Sequence, residues 1–393
     1  MDEPVLVDAV RSPMGKGRPG GALSGLHAVD LLAQTIAGLL ERTGIDPARV
    51  DDVVTGCVSQ AGEQSGNVGR MAWLAAGLPE QVPAVTVERK CGSSQQAIHF
   101  AAAGIASGEY DVVVVAGVES MSRVPMGCNR LGADVYGPSV TARYAPGLVS
   151  QGVSAELVAA RWKISREQLD EYAARSHALA AGAADSGGFD GEIVPITLPD
   201  GTVVTRDESI RRGTTAEKLA GLKPAFVDEA AGQRFGEIDW SVTAGNSSQI
   251  TDGASALLLT SERAAAELGL RPRARFRGFA VRGDDPIAML TAPIPATHRV
   301  LERSGVRLAD IDHYEVNEAF ASVPLAWQAE FGADPDRLNP RGGAIALGHP
   351  LGASGARLAT TMLGALEASG GRLGLQTMCE AGGMANALLL ERV

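Results

Sequence analysis

Leu40-Glu41-Arg42-Thr43-Gly44-Ile45 recurs 261 residues later as Leu301-Glu302-Arg303-Ser304-Gly305-Val306, and the likeness runs on, with Ala48, Val50 and Asp51 matched by Ala309, Ile311 and Asp312. Over twelve positions six residues are identical and three more are close replacements. Each copy reads as the end of an apolar helix, stopped by a glycine, then a turn and the entry to a buried strand. Two copies of one helix-turn-strand unit so far apart in a chain of 393 residues predict a duplicated α/β core.

The flanking sequence agrees. Residues 5–9 and 52–56 read as strands, 28–42 and 95–107 as helices, and 112–115 as a β-branched run. The strand segments are apolar throughout rather than alternating, as expected of strands covered by helices on both faces. The apolar run 256–260 is expected to return the chain to the first half. The predicted organisation is therefore a first half of residues 1–118 plus 251–271, an inserted loop domain of residues 119–250, and a second half of residues 272–393. The insertion is polar and loop-rich, a natural place for substrate recognition. Within it, residues 165–182 predict a helix with Ser165 as N-cap and Glu167-Gln168 in the first turn.

Composition narrows the function. Hydrophobic residues make up 45% and charged residues 21%, so the chain can bury a large core and is not disordered. A net charge of −11 argues against nucleic acid as partner. The cysteines Cys57, Cys91, Cys128 and Cys379 are spread along the chain with no C-x-x-C spacing. They form neither a disulfide framework nor a structural zinc site, so reduced thiols, no metal and a cytoplasmic location are expected. The start Met1-Asp2-Glu3-Pro4 carries no targeting pattern, and the longest strongly apolar run, 112–118, is far short of the ~20 residues of a membrane span.

Four polar residues stand where chemistry is done. Cys91, in Glu88-Arg89-Lys90-Cys91-Gly92-Ser93-Ser94, precedes a predicted helix. Helix N–H groups together with Arg89 and Lys90 are expected to favour its thiolate; an inert buried thiol is the other reading. His349 lies in the glycine-rich stretch Gly342-Gly343-Ala344-Ile345-Ala346-Leu347-Gly348-His349-Pro350, where backbone can approach a ligand. It stands 258 residues after Cys91, close to the repeat distance, which predicts two matched strand-to-helix turns meeting near a pseudo-twofold axis. Cys379 follows a predicted strand over 373–378 and enters the turn Glu380-Ala381-Gly382-Gly383. Asn317, in Asn317-Glu318-Ala319-Phe320, ends the repeated strand of the second half, where it is placed either to orient a ligand or to cap a helix.

Together these segments resemble the thiolase family across essentially the whole chain. The Cys91 segment, Gly117-Val118-Glu119-Ser120-Met121-Ser122, the Asn317-Glu318-Ala319-Phe320 box, Gly348-His349-Pro350 and the Cys379 turn come in the family's order. The resemblance implies two five-stranded α/β halves in a five-layered α/β/α/β/α core with a loop domain over the site. It implies an acyltransferase that cleaves 3-ketoacyl-CoA with CoA, or runs the reverse condensation, through an acyl-cysteine. By the same resemblance Cys91 is the nucleophile, His349 its base and Cys379 the second acid/base. Asn317 and His349 form one oxyanion site, and the backbone N–H groups of Cys91 and Ala381 form the other. Ala381 departs from the glycine usual there, which matters if the position needs positive φ.

Coenzyme A enters as substrate, with no further cofactor. Arg211, Phe226, Ala244 and Ser248 match CoA-binding positions, and Arg206, Arg212, Lys218 and Lys223 add charge nearby. Gln151, within Ser150-Gln151-Gly152, stands where short-chain members often carry His-Met-Gly, whereas Met289 matches their pocket methionine. The two signs oppose each other, and the expectation leans to a wider, degradative range. The alternatives are a short-chain acetyl-CoA acetyltransferase and, more remotely, a non-catalytic acyl-CoA-binding protein of this fold. Ketosynthases and hydroxymethylglutaryl-CoA synthases lack the second cysteine. A homo-oligomer is expected, a tetramer rather than a dimer.

Overall fold

The computed structural model describes residues 2–393. The first half contributes strands β1 (Pro4–Arg11), β2 (Asp52–Gly56), β3 (Ala84–Val87), β4 (Val112–Ser120) and β5 (Thr251–Ser261). The second contributes β6 (Ala274–Gly283), β7 (His313–Val316), β8 (Leu373–Glu380) and β9 (Met384–Arg392). Their order is β7-β8-β9-β6-β1-β5-β4-β2-β3, so β5 does run between β1 and β4. The sheets of the two halves pair where Val5 and Leu6 of β1 meet Arg275 and Ala274 of β6.

Alternation along the strands builds the layers. Val112, Val114 and Ala116 face one way, against α1 (Ala28–Thr43) and α2 (Val68–Ala75). Val113 and Val115 face the other way and pack, with Leu388 and Leu390 of β9, on α3 (Ser93–Ser107) and its counterpart Ser354–Ser369. The far face of the second half, including Ala387 and Leu389, packs on the helices Pro293–Ser304 and Ser322–Phe331. Helices, sheet, helices, sheet and helices make the five layers.

The 261-residue offset holds across both halves. It maps β2 onto β7, β4 onto β8 and α3 onto Ser354–Ser369, and Gly44 and Gly305 both end their helices with left-handed φ. β1 and β6 begin further apart than that offset (274 − 4 = 270), and one strand lacks a counterpart altogether. The counterpart of β3 is no strand: a single parallel bridge, Tyr314 to Leu338, remains, so the second half has four strands rather than five. The chain there turns instead through the short helix Ala344–Leu347 into the loop bearing His349. No described helix is long and apolar enough to cross a membrane.

The inserted segment is anchored on both halves. Its helices α4 (Gln151–Trp162) and α5 (Arg166–Asp185) bury Ala155, Val158, Leu169 and Tyr172 against the second half. The capping box of Ser165 and Gln168 is present. Towards the first half, fully buried Arg11 bonds Glu192 at 2.7 Å and Asp207 at 2.6 Å, both from the insertion.

Candidate active site

Cys91 heads α3 on a tight turn. Lys90 takes a left-handed φ of 48°, a conformation that costs a side-chain-bearing residue about 1 kcal/mol or more. Ser93 holds the turn: its hydroxyl accepts the Arg89 N–H at 2.9 Å and donates to the Lys90 carbonyl at 2.6 Å. The thiol is buried and packs with Met121, Leu351, Leu358 and Met378, which sets it beside both the His349 loop and the Cys379 strand.

His349 is fixed from two sides. Its N–H lies 3.0 Å from both the Gln249 carbonyl and the Thr251 hydroxyl. Gly348 before it has φ 99°, and a Cβ there would lie 2.2 Å from the Thr251 hydroxyl, so only glycine fits. The ring's Nδ1 meets Ser354 Oγ at 2.6 Å, while its Nε2, equally buried, has no protein partner. Burial, aided by the Arg357 charge, pulls the imidazole down to about 3, so it is neutral at physiological pH.

Asn317 follows β7 and donates its N–H to the Thr377 carbonyl, which puts it beside Met378 and Cys379. Its amide O and N are both buried and without partners. An imidazole nitrogen and a carboxamide, both buried and unbonded, thus lie on segments that adjoin those of the two buried thiols, and polar groups left so suit a ligand oxygen. Cys379 is held far up by burial, then by the neighbouring Cys91 and Glu380 charges.

The other predicted residues have these surroundings. Ser248 donates its N–H to Ala319 at 2.9 Å, and Ser247 bridges Phe320. Phe226 meets Phe320 edge-on at 5.6 Å and packs on Gly152, next to Gln151. Ala244 is exposed beside Thr243, which bridges Pro224. Arg211 is exposed and donates to Gln249, whose carbonyl holds the His349 N–H. Of the basic residues around it, Arg212 pairs with Asp185, Lys218 turns to the Gly213 carbonyl, and Arg206 and Lys223 are exposed. Met289 is buried in a turn facing α4, opposite Gln151.

Residues 4–263 match the family model for the thiolase N-terminal domain, and residues 270–392 match that for the C-terminal domain. The chain belongs to the thiolase family. A steroid 3-ketoacyl-CoA thiolase, FadA6 of Mycobacterium tuberculosis, is 49% identical over 100% of this chain and 95% of its own. A 3-ketoacyl-CoA thiolase of Marinobacter nauticus is 45% identical over 99% and 98%. The crystal structure of the acetyl-CoA acetyltransferase of Bacillus anthracis superposes with a TM-score of 0.89 at 39% identity, covering 100% of this chain and 99% of that one.

In this thiolase three expectations change. Arg89 and Lys90 do not decide the Cys91 ionisation: Lys90, paired with Glu88 at 3.2 Å, favours the thiolate only weakly, and Arg89 lies beside Met384. Burial wins, and with Glu380 it pushes the Cys91 thiol up to about 12. Under the 261-residue offset Cys91 corresponds to Gly352, so His349 lies three residues before the matched position. Ala381 is not among the residues with positive φ; Gly382 and Gly383 carry that conformation.

Sequence reasoning passed over the residues that hold the site. Glu318 accepts from Tyr172, Ser176, Asn339 and the Ile345 N–H, tying the Asn317 box to the insertion and the His349 loop. Glu119 accepts from the N–H groups of Val58, Ser59 and Gly352 and from Gln64, tying the loop after β2 to the second half. Thr251 and Ser354 hold His349. Their signal in the sequence was position alone: each lies at a strand or helix end beside a residue already singled out.

Proposed function

We propose that this thiolase cleaves 3-ketoacyl-CoA with CoA to acetyl-CoA and an acyl-CoA shortened by two carbons, and that it also runs the reverse condensation. The observation that supports the residue roles is that His349 Nε2 and the Asn317 amide are buried and unbonded on segments adjoining those of Cys91 and Cys379. Cys91 Sγ attacks the 3-keto carbon while its proton passes to neutral His349, since the thiol is too weak an acid to ionise first. The C2–C3 bond breaks, and Cys379 protonates the departing acetyl-CoA enolate at C2. The Cys379 thiolate then takes the proton of an incoming CoA thiol, whose sulfur attacks the acyl-Cys91 carbonyl. The shortened acyl-CoA leaves, and Cys91 recovers its proton from His349. His349 Nε2–H with Asn317, and the N–H groups of Cys91 and Ala381, are assigned to the two oxyanions, each donor worth ~3–4 kcal/mol.

Arg211, Phe226, Ala244 and Ser248 are assigned to CoA, and Gln151 and Met289 to the acyl group. The assay compares cleavage of acetoacetyl-CoA, a medium-chain 3-ketoacyl-CoA and a steroid-ring 3-ketoacyl-CoA, with mass spectrometry of the Cys91 peptide. Faster turnover of a longer substrate with acylated Cys91 supports the reading. Activity on acetoacetyl-CoA alone favours the short-chain acetyltransferase, to which buried Met289 points. CoA binding without acylation on any of them overturns both.

The surface supports a homo-oligomer. β3 is a sheet edge, and exposed Val85 stands near exposed Met71 and Leu74 of α2 and Phe100 of α3. An apolar patch on an open strand edge suits a second copy. Exposed Met126, Leu131, Val135 and Tyr136 offer a second apolar surface, so a tetramer is the expected state. Light scattering decides it. Four unpaired cysteines support a reducing, cytoplasmic setting.

A further inference from the structure

Glu119 and Glu380 are counterparts under the duplication, 261 residues apart, each at or next to the end of its strand, β4 or β8. Each reaches across to the start of the helix that belongs to the other half. Glu119 is bonded there by the Gly352 N–H at 2.9 Å and by three further donors. Glu380 packs on Gly92, the N-cap of α3, so closely that a Cβ on Gly92 would lie 1.8 Å from its Oε1. Yet neither oxygen of Glu380 has a hydrogen-bond partner, and the residue is fully buried. The same device therefore serves as a clamp in one half and stands unbonded in the other, where both thiols lie.

We propose that Glu380 sets the ionisation of the two active-site thiols: packed behind the Cys91 turn without a hydrogen bond, its carboxyl opposes thiolate formation when charged and permits it when neutral. It is thus a positioning residue acting through Cys91 and Cys379. This rests on the thiolase reading above for its consequence, an alkaline limit to acyl transfer that thiols alone would not impose.

The surroundings support it. The groups facing Glu380 are Cys379 on its own strand, Cys91, Glu88 and Arg89 on the turn, and His99 further along α3 near Arg89. From β9 comes only the Asn386 N–H, which with Arg89 offers the sole favourable polarity, and neither reaches bonding geometry. Burial outweighs both and holds the carboxyl at about 8, so it changes charge within the working range of an enzyme. Charged, Glu380 raises both thiols, and it is the nearest charge doing so for Cys91.

The test is the pH dependence of Cys91 alkylation by iodoacetamide, read peptide by peptide in the intact protein, for wild type and Glu380→Gln. Exposed Cys128 is the internal reference. Wild-type Cys91 should flatten above pH ~8, while the variant keeps rising and reacts roughly tenfold faster there, as if its thiol were a tenfold stronger acid. Superimposable profiles overturn the proposal. Should Glu380→Gln not fold, Arg89→Met removes the charge that favours the carboxylate and should move the flattening to higher pH; no movement overturns it. Glu119→Gln should lower thermal stability and move the Cys91 profile less than Glu380→Gln does, since Glu119 is the weaker of the two charges opposing that thiolate; an equal shift overturns the proposal. Infrared titration of wild type should show a buried carboxylic-acid band that disappears near pH ~8 and is missing in Glu380→Gln; a band-free wild type overturns it. Alkylation needs no substrate, so loss of the thiolase reading would show as absent turnover with this profile intact.

Discussion

His349 Nδ1 lies 2.6 Å from Ser354 Oγ, and that hydroxyl lies 2.9 Å from the Pro350 carbonyl. A serine has one proton to give. With it committed to Pro350, the hydroxyl accepts from Nδ1–H, which leaves the lone pair of His349 on the unbonded Nε2. Ser354 thereby selects the tautomer that can act as a base. Replacing Ser354 by alanine should lower kcat by about tenfold to a hundredfold, less than the ~10²–10⁴ a general base supplies. Steady-state kinetics check it: a KM change at constant kcat would mean that Ser354 orients nothing.

Cys91 and Cys379 are both held protonated by burial, but only one of them forms the thioester. Cys379→Ala should still let Cys91 take an acetyl group from acetyl-CoA, seen as a mass shift on its peptide. Turnover should drop by ~10²–10⁴, the contribution of a positioned acid/base. Cys91→Ser should show no acyl-enzyme. Full turnover in Cys379→Ala would remove it from the mechanism.

Ala381 sits without left-handed strain because Gly382 (φ 94°) and Gly383 (φ 77°) make the turn after it. Ala381→Gly should therefore leave kcat within about twofold and reduce stability by ~0.5–1 kcal/mol through added chain entropy. A large rate gain would show that the methyl group distorts the oxyanion site.

The duplication was legible from twelve residues, and its offset predicts β2/β7, β4/β8 and the paired central helices. It was also enough to pair Glu119 with Glu380. What spacing cannot show is burial. Arg89 and Lys90 looked like thiolate-stabilising charges because sequence lists neighbours along the chain; Glu88 and Met384 take them up in space. Arg11 likewise reads as an ordinary basic residue in a strand, yet it is fully buried and ties the insertion to the first half through Glu192 and Asp207, nearly two hundred residues away. The missing fifth strand of the second half was hidden for the opposite reason. The strand position beside Tyr314 falls on Leu338, where Asn339, with a left-handed φ of 46°, and then Pro340 end the pairing after a single bridge.

Three buried histidines make the fold acid-labile. Burial first, then an arginine, pulls His99 and His349 to about 3 and His177 to about 4, all below the ordinary 6.5. A histidine depressed in the folded state binds fewer protons than in the unfolded chain, so its stability is complete above pH ~6.5 and is lost as pH falls towards the folded values. Thermal unfolding should move steadily to lower temperature from pH ~6.5 to ~4. A melting temperature flat across that window would mean that these rings protonate in the native protein.

Glu380 acts in the opposite sense on the alkaline side. Its folded value, about 8, lies above the ordinary 4.5, so the native protein binds the extra proton between them. The stability tied to that proton is complete below pH ~4.5 and is lost as pH rises through ~8. Glutamine keeps the shape without the titration. Glu380→Gln should therefore match wild type in melting temperature at low pH, gain on it progressively between pH ~4.5 and ~8, and keep a constant lead above. The gain should reach a few kcal/mol at most, since a tenfold change in acid strength is worth ~1.4 kcal/mol and the protein relaxes around a buried charge. Calorimetry at matched ionic strength across that range reads the curve. A lead that shrinks with rising pH would mean that the fold favours the carboxylate over the buried acid.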